Sequence, residues 1–421
     1  MVSLLKYSTR IRELQLWSNP GFTQMYEQTE RLSSYTLFPH LQALTFGSAG
    51  PEIDFVTRTM GNALLAVKAL HYSAVPPQAL DTIASKSPYL SSIELLLHFH
   101  QIVPEVSSSL LKLLSVSKNL ADFGVASHSC DEIIWHAATQ VPCLKRLTVD
   151  HITQFSNTPV KATFSTLVDL ELCISTLSLA TTVLQRARFP RLQKFQFIDW
   201  TAGQYPQEEI FAFLRALVCA CNSATLATLE MYYNEGANHF VRAAPVQSEA
   251  LRPLLALTNL QRLHLEPGWD WDVDDSLVLD MGKAWPHLRY LYLDPGRSWK
   301  SERITFGALE QLAAMCPHLE VFGAVINSTL PSAPRRSSTR NEHLVLRQLR
   351  LGATSIGSAV RVAAYLSSLY PSLETVSGFD FEPMDEVETM WRERWERVEE
   401  LVPVMVQVRK TEREVMRNLT C

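Results

Sequence analysis

The chain has 421 residues, 47% hydrophobic and 19% charged, close to the globular average, which excludes bulk disorder. With 38 Lys+Arg against 43 Asp+Glu the formal charge is -5, which provides no general basic field for nucleic acid. The most apolar stretch, 210–221, is interrupted by Arg215 and falls short of the roughly 18 apolar residues of a membrane-spanning helix.

In chain order, Met1 to Tyr7 shows no apolar core followed by a small-residue cleavage site, so an intracellular protein, cytoplasmic or nuclear, is expected. From Ile11 onward one pattern, LxxLxL with any large apolar residue standing for Leu, recurs to the end of the chain. Its copies are Ile11/Leu14/Leu16, Leu41/Leu44/Phe46, Val67/Leu70/Tyr72, Leu90/Ile93/Leu95, Leu120/Phe123/Val125, Leu144/Leu147/Val149 and Leu167/Leu170/Leu172. They continue with Leu192/Phe195/Phe197, Leu226/Leu229/Met231, Leu260/Leu263/Leu265, Leu288/Leu291/Leu293, Leu319/Phe322/Ala324, Leu346/Leu349/Leu351 and Leu373/Val376. The spacing from Ile11 to Leu373 averages about 28 residues, inside the range of leucine-rich repeats.

Each copy reads as a short strand with positions 1, 4 and 6 turned inward and polar residues such as Gln15, Glu171, Gln196, Glu230, His264 and Arg350 alternating outward. Seven copies are preceded by Pro (39, 88, 142, 190, 286, 317, 371) two residues before the first apolar position; proline ends the preceding helix and extends its neighbour. Between the strands, helical patterns are expected over 79–86, 106–118, 131–140, 179–188, 207–222, 277–284, 306–315 and 359–370, many starting after a Ser, Thr, Asp or Pro cap. Strand–helix units of this length stack as an α/β leucine-rich repeat solenoid, a horseshoe with a parallel sheet on the concave face and helices on the convex face. Of the Asn residues that end short repeats, only Asn19, Asn234 and Asn327 fit, which points to the long, irregular subtype.

Taken with the Phe38-Pro39-His40-Leu41 type of entry and the opening Tyr7-Ser-Thr-Arg10-Ile11, the chain resembles the repeat region of the F-box-like leucine-rich repeat proteins of basidiomycete fungi. The resemblance implies substrate recognition for an SCF-type ubiquitin ligase, the repeats holding a protein target. A cullin adaptor is implied as partner only if an F-box lies upstream, since ten residues precede the first strand core here. A ligase-independent scaffold, or a regulator of an enzyme such as a GTPase or nuclease, is the alternative. The same shortness implies an apolar patch at Leu4, Leu5, Ile11, Leu14 and Leu16, and hence self-association.

The solenoid is expected over 1–381, interrupted by a Ser/Pro/Arg-rich mobile loop at 327–343 that contains a possible basophilic kinase motif, Arg335-Arg336-Ser337-Ser338. The tail 382–421 carries Val387, Trp391, Trp395, Val398 and Val402 on one face and reads as a helical cap over the last strand. Two sets of partner-binding candidates stand out. Loops leaving consecutive strands carry Trp200, Tyr232, Tyr233, Trp269, Trp271 and Trp299, which stacking would align along one rim, either partly exposed as an interface or folded back to shield helix ends. Beside them, the concave positions offer Lys194, Glu230, Arg262, His264, Tyr290 and Tyr292.

No catalytic, cofactor or metal motif is present: GxSxG, GxxxxGK[ST], HExxH and GxGxxG are all absent, and His98 with His100, or His128 with Cys130, are spacings common by chance. Seven cysteines, irregularly spaced and without a CxxC pair, read as reduced, mostly buried thiols. The chain is therefore expected to be a protein-binding module and not an enzyme, with no cofactor, nucleic acid or membrane partner.

Overall fold

The computed structural model describes residues 7–17, 35–47, 51–70, 76–96, 104–126, 132–150, 161–174, 176–199, 205–233, 245–269, 271–294, 302–330, 345–352, 355–378 and 386–420. The chain divides into two compact units, Met1–Leu192 and Gln193–Cys421.

In unit 1 the strands are β1 (Glu13–Leu16), β2 (Ala43–Phe46), β3 (Ala66–Leu70), β4 (Ser92–Leu96), β5 (Asp122–Ala126), β6 (Arg146–Asp150), the two-residue β7 (Ala162–Thr163), β8 (Asp169–Ile174) and the two-residue β9 (Ala187–Arg188). Leaving aside β7 and β9, which pair with each other, the strands are parallel and pair in sequence order. Helices α1 (Pro51–Thr59), α2 (Pro77–Lys86), α3 (Pro104–Val116), α4 (Glu132–Thr139) and α5 (Leu177–Gln185) lie between them.

Unit 2 repeats the scheme. It contains β10 (Lys194–Asp199), α6 (Gln207–Ala220), β11 (Thr228–Tyr233), β12 (Val246–Gln247), the single turn α7 (Ser248–Leu251) running into a 3-10 turn (Arg252–Ala256), β13 (Arg262–Glu266), β14 (Trp271–Asp272), α8 (Asp275–Ala284) and β15 (Tyr290–Leu293). It continues through β16 (Ile304–Thr305), α9 (Phe306–Met315), β17 (Val321–Gly323), β18 (Ile326–Asn327), β19 (Gln348–Arg350), α10 (Ala359–Leu369), β20 (Thr375–Ser377) and α11 (Glu386–Thr420). The sheet of this unit runs β10, β11, β13, β15, β17, β19, β20, all parallel. Repeat spacing, strand order and alternating helices make the chain an α/β leucine-rich repeat solenoid.

One backbone device sets the register of successive repeats within each unit. The carbonyl at motif position 2 accepts two consecutive amides from the next repeat: Gln261 O takes Arg289 N at 2.8 Å and Tyr290 N at 3.1 Å, and Arg289 O takes Glu320 N at 2.8 Å and Val321 N at 3.1 Å. The same fork recurs at Ser91, Ala121, Lys145, Ala227, Glu320 and Arg347. Just before it, each proline sits second in a four-residue turn, the place its fixed φ suits. Thus Leu90, Leu288, Leu319 and Leu373 donate back to Ser87, Trp285, Cys316 and Tyr370 at 3.0–3.2 Å. Those four acceptors also end α2, α8, α9 and α10 and are all buried. They form a core position that the LxxLxL pattern does not include.

The structure corrects the expected pattern in several places. In the third repeat the register is Leu64/Val67/Ala69, not Val67/Leu70/Tyr72: Val67 pairs with Leu44 and Ala69 with Phe46. The small Ala69 at position 6 disguises the motif. Helix α1 and the short α7 were not expected, and residues 187–188 form a strand instead of ending a helix. Helix α11 packs on α10 and β20 with Trp395, Val398, Val402 and Val406 buried. Val387, expected on that face, is exposed, because it lies more than two turns before the first buried residue. Nor are the described thiols mostly buried: Cys173 and Cys316 are, Cys221 is half-buried, and Cys143 and Cys219 are exposed, while Cys130 and Cys421 lie outside the described residues. Asn327 does bond the turning backbone, accepting from Thr329 N at 2.9 Å. At the start of unit 1 Leu16 is buried while Ile11 and Leu14 are half-buried; Leu4 and Leu5 lie outside the described residues, as does the motif at 335–338.

Candidate functional site

Parallel in-register pairing converts the outward positions of unit 2 into two continuous rows. Position 3 runs Lys194, Thr228, Arg262, Tyr290, Val321, Gln348 and Thr375, and position 5 runs Gln196, Glu230, His264, Tyr292, Gly323, Arg350 and Ser377. Neighbouring strands are only about 4.8 Å apart, so long side chains reach diagonally to the next strand. All six concave residues expected from the sequence, Lys194, Glu230, Arg262, His264, Tyr290 and Tyr292, fall in this lattice and touch one another.

Glu230 is the anchor of the first half. Arg262 Nε donates to its Oε1 at 2.6 Å and Lys194 Nζ lies 3.2 Å from Oε2. Burial alone would raise the carboxyl pKa, but the bonds from Arg262 and Lys194 outweigh it and hold Glu230 below the usual carboxylate range. Burial also works against the Arg262 charge, and the Glu230 bond together with the nearby Tyr290, Glu230 and Tyr232 outweighs it, raising its pKa. The guanidinium lies 3.6 Å above the Tyr290 ring, in cation–π range.

His264 anchors the second half. Its Nε2 lies 2.9 Å from Glu266 Oε2 and its Nδ1 3.3 Å from the Tyr290 hydroxyl, so both ring nitrogens have a partner. Three tyrosines enclose the imidazole, with ring centroids at 4.4 Å for Tyr292, 4.7 Å for Tyr232 and 5.7 Å for Tyr290. Burial pushes the Tyr232 phenol up to about 12 and raises Tyr290 and Tyr292 as well. Beyond them Arg350 lies 5.8 Å from the Tyr292 ring. Between the two stands Gly323, where a Cβ would come within 2.5 Å of Tyr292 Cδ2; glycine there lets the ring lie flat across β17.

Two features of this lattice were not legible as such. His264 and Tyr292 were expected on an open face, yet both are buried, because flanking aromatic rings cover them. Tyr232 and Glu266 were assigned to loops, whereas β11 and β13 run on past the sixth motif position and place them in the lattice. Arg350 and Gly323 complete it; the alternation of polar residues marks Arg350, and no sequence signal marks Gly323.

Of the two readings of the loop aromatics, exposed rim or rings folded back, the second holds for the two tryptophans that are described. Pro267-Gly268 turns the chain sharply, with Gly268 at φ 77°, a conformation that favours glycine. Trp269 and Trp271 are thereby folded inward, each 2% exposed, in edge contact with each other at 5.4 Å. Trp269 also meets Tyr205 at 6.0 Å, and Trp271 belongs to β14, paired with β12. They shield the strand-to-helix edge. Tyr233 is half-buried at the end of β11, and Trp200 and Trp299 lie outside the described residues.

Among the described residues, unit 1 offers nothing comparable. Its concave rows, Glu13 to Asp169 and Gln15 to Glu171, contain no aromatic residue, only ion pairs such as Lys68–Glu94 at 2.6 Å and Arg146–Asp169 at 3.2 Å. A groove of about 570 Å³ beside α3 and α4 is lined by Leu111, Ile133, His136, Gln140, Lys161 and Thr163 among others. Among the described residues no group of three or more His, Cys, Asp or Glu is placed to hold a metal; His98, His100, His128 and Cys130 lie outside them. No helix of the described residues is long and apolar enough to cross a membrane.

No protein-family model matches the sequence and no curated protein matches it. Solved structures similar to it include an internalin from Listeria monocytogenes, at 12% identity over 81% of each chain with a TM-score of 0.41. A leucine-rich repeat-containing protein from Legionella pneumophila aligns at 11% identity over 77% of this chain and 94% of that one, TM-score 0.39. A chain of the yeast Rad7 and Elc1 complex aligns at 13% over 80% and 91%, TM-score 0.38. Likenesses this loose bear on neither function nor partner, and the fold assignment stands on strand register and repeat spacing.

Proposed function

We propose that the chain is a protein–protein interaction repeat module, without enzymatic activity, that holds its partner on the concave rows of unit 2. The supporting observation is the lattice from Lys194 to Arg350: aromatic and charged side chains gathered on rigid strands, packed against one another before any partner arrives. Binding to such a surface spares the entropy of ordering it, and Tyr and Arg are the residues that dominate interface energetics. The ionisable groups are engaged with each other, Glu230 with two cations and His264 with Glu266, which suits recognition more than proton transfer. The free thiols fit a reducing location, cytoplasm or nucleus.

At a finer level, the Pro-x-Leu entries and irregular long repeats support reading this module as the substrate-recognition arm of an F-box-type ubiquitin ligase. A scaffold without ligase coupling, or a regulator of an enzyme such as a GTPase or nuclease, is the alternative.

Site-directed photo-crosslinking in the native cell extract tests the binding face. A crosslinker at Thr228 or Gln348 should capture one defined protein, and the same group at Thr148 in unit 1 should not. Equal capture at all three positions would remove the assignment to unit 2. Co-precipitation of a cullin adaptor with the endogenous gene product separates the ligase reading from the scaffold.

A further inference from the structure

The concave lattice is asymmetric in depth. The Glu230 side chain is 10% exposed, whereas the Lys194 and Arg262 side chains that cover it are 39% and 36% exposed. The acid is tucked beneath its cations, so at this cluster the solvent meets positive charge, while Glu266, one-third exposed near Tyr290 and Tyr292, is held by His264. Four strands on, Arg350 is exposed on the same row as Glu230, and among the described residues no carboxylate pairs with it. Gly323 leaves no side chain between Arg350 and Tyr292. The guanidinium therefore stands beside aromatic surface with an open approach, in a chain whose formal charge is -5.

We infer that the partner presents an acidic peptide segment to this face, with a carboxylate received by Arg350 beside Tyr290 and Tyr292. This rests on the concave face being the binding surface. The Arg350 guanidinium, bonded to the Tyr292 side chain but to no carboxylate among the described residues, offers a planar fork to a carboxylate, and the outward cations Lys194 and Arg262 steer negative charge toward it. A nucleic acid fits less well, because a phosphate backbone needs a track of available cations. Here Lys194 and Arg262 are engaged by Glu230, and the positions around Arg350 are Gln348, Thr375 and Ser377.

The test is selection of a displayed random dodecapeptide library on the purified full-length chain at low ionic strength. Each enriched peptide is then measured against the wild type, R350K, R350E and the steric block Q348W, with a single-stranded oligonucleotide as second probe. The expected result is Asp- or Glu-rich peptides excluded by Q348W, weakened about tenfold or more by R350E and only a few-fold by R350K, with a shallower salt dependence in R350E. Neutral or basic peptides that are nevertheless excluded by Q348W would overturn the acidic-segment inference alone. Peptides indifferent to Q348W, or no enrichment, would overturn the concave-face reading and this inference with it. Tight, Q348W-sensitive oligonucleotide binding at physiological salt would replace the peptide with nucleic acid. Unchanged melting of R350E, expected for an exposed side chain, excludes misfolding as the cause of a loss.

Discussion

At the scale of single residues, the lattice depends on one missing side chain. A Cβ on Gly323 would meet Tyr292 Cδ2 at 2.5 Å and Cε2 at 3.0 Å, so Gly323→Ala must push the ring off β17 and disturb the stack on His264. Overpacking of this kind costs about 1–3 kcal/mol. In a Tyr292→Ala background the obstacle is gone and the same substitution should be neutral or slightly favourable, since glycine is poor in a strand. Urea unfolding of both singles and the double checks this; additive effects would mean that the ring does not depend on the glycine. Glu230 supports a second expectation. Its folded pKa is lowered, so its contribution is fully present above the ordinary carboxylate value of about 4.3 and is lost as pH falls through the lowered folded value. The urea midpoint of the wild type should therefore fall on acidification more steeply than that of Glu230→Gln, and parallel curves would show that the charge contributes nothing. Of these residues, the alternating polar pattern exposed Glu230, Arg262, His264 and Tyr292 in the sequence. The burial of His264 and Glu230 was not legible, because the first is covered by rings on strands 26 or more residues away and the second by the Lys194 and Arg262 side chains.

At the scale of elements, the expected strands and most helices follow from punctuation that is local in the chain. Thr176, Asp274, Thr305 and Ser358 each accept from the amide three residues on, the N-cap bond that starts α5, α8, α9 and α10. Proline turns close the other end of α8, α9 and α10. The sequence was silent where an element depends on a neighbour: α1 has no signal as regular as the caps, and the pairs β12–β14 and β16–β18 are contacts between successive repeats. Thr305 joins both kinds of information. Its hydroxyl caps Ala308 N at 3.2 Å and donates to Asp275 Oδ2 at 2.8 Å, while its amide bonds Asp275 Oδ1 at 2.6 Å, tying the start of α9 to the start of α8. Thr305→Ala should cost about 1–2 kcal/mol, more than a cap alone, and in an Asp275→Ala background the loss should shrink toward that of the cap. Thermal melting of the four variants measures the coupling.

At the scale of the whole molecule, a repeat array is held together mainly by contacts between neighbours, so damage should spread along it by distance. The C-terminal side of unit 2 offers the cleanest place to observe this. Trp395 on α11 is fully buried, and its ring occupies the space over Gly378, where a Cβ would fall 2.2 Å from its Cγ. Arg394 donates to Ile356 O at 2.6 Å and Arg409 to Ala364 O at 3.1 Å, fixing the same helix along α10. Replacing Trp395 by Ala removes the largest side chain in that contact, a change that costs roughly 3–5 kcal/mol when the site cannot collapse. If stability is a sum of nearest-neighbour terms, hydrogen exchange should accelerate first in α11, α10 and β20, next in β19, and least in β13 and β11, where the concave lattice lies. Peptide binding at Arg350, which sits on β19 between the two regions, should weaken before the lattice around His264 opens. A uniform rise in exchange from β10 to β20 would instead show that unit 2 unfolds as one cooperative block, and that the local reading of its repeats stops at geometry and does not extend to energetics.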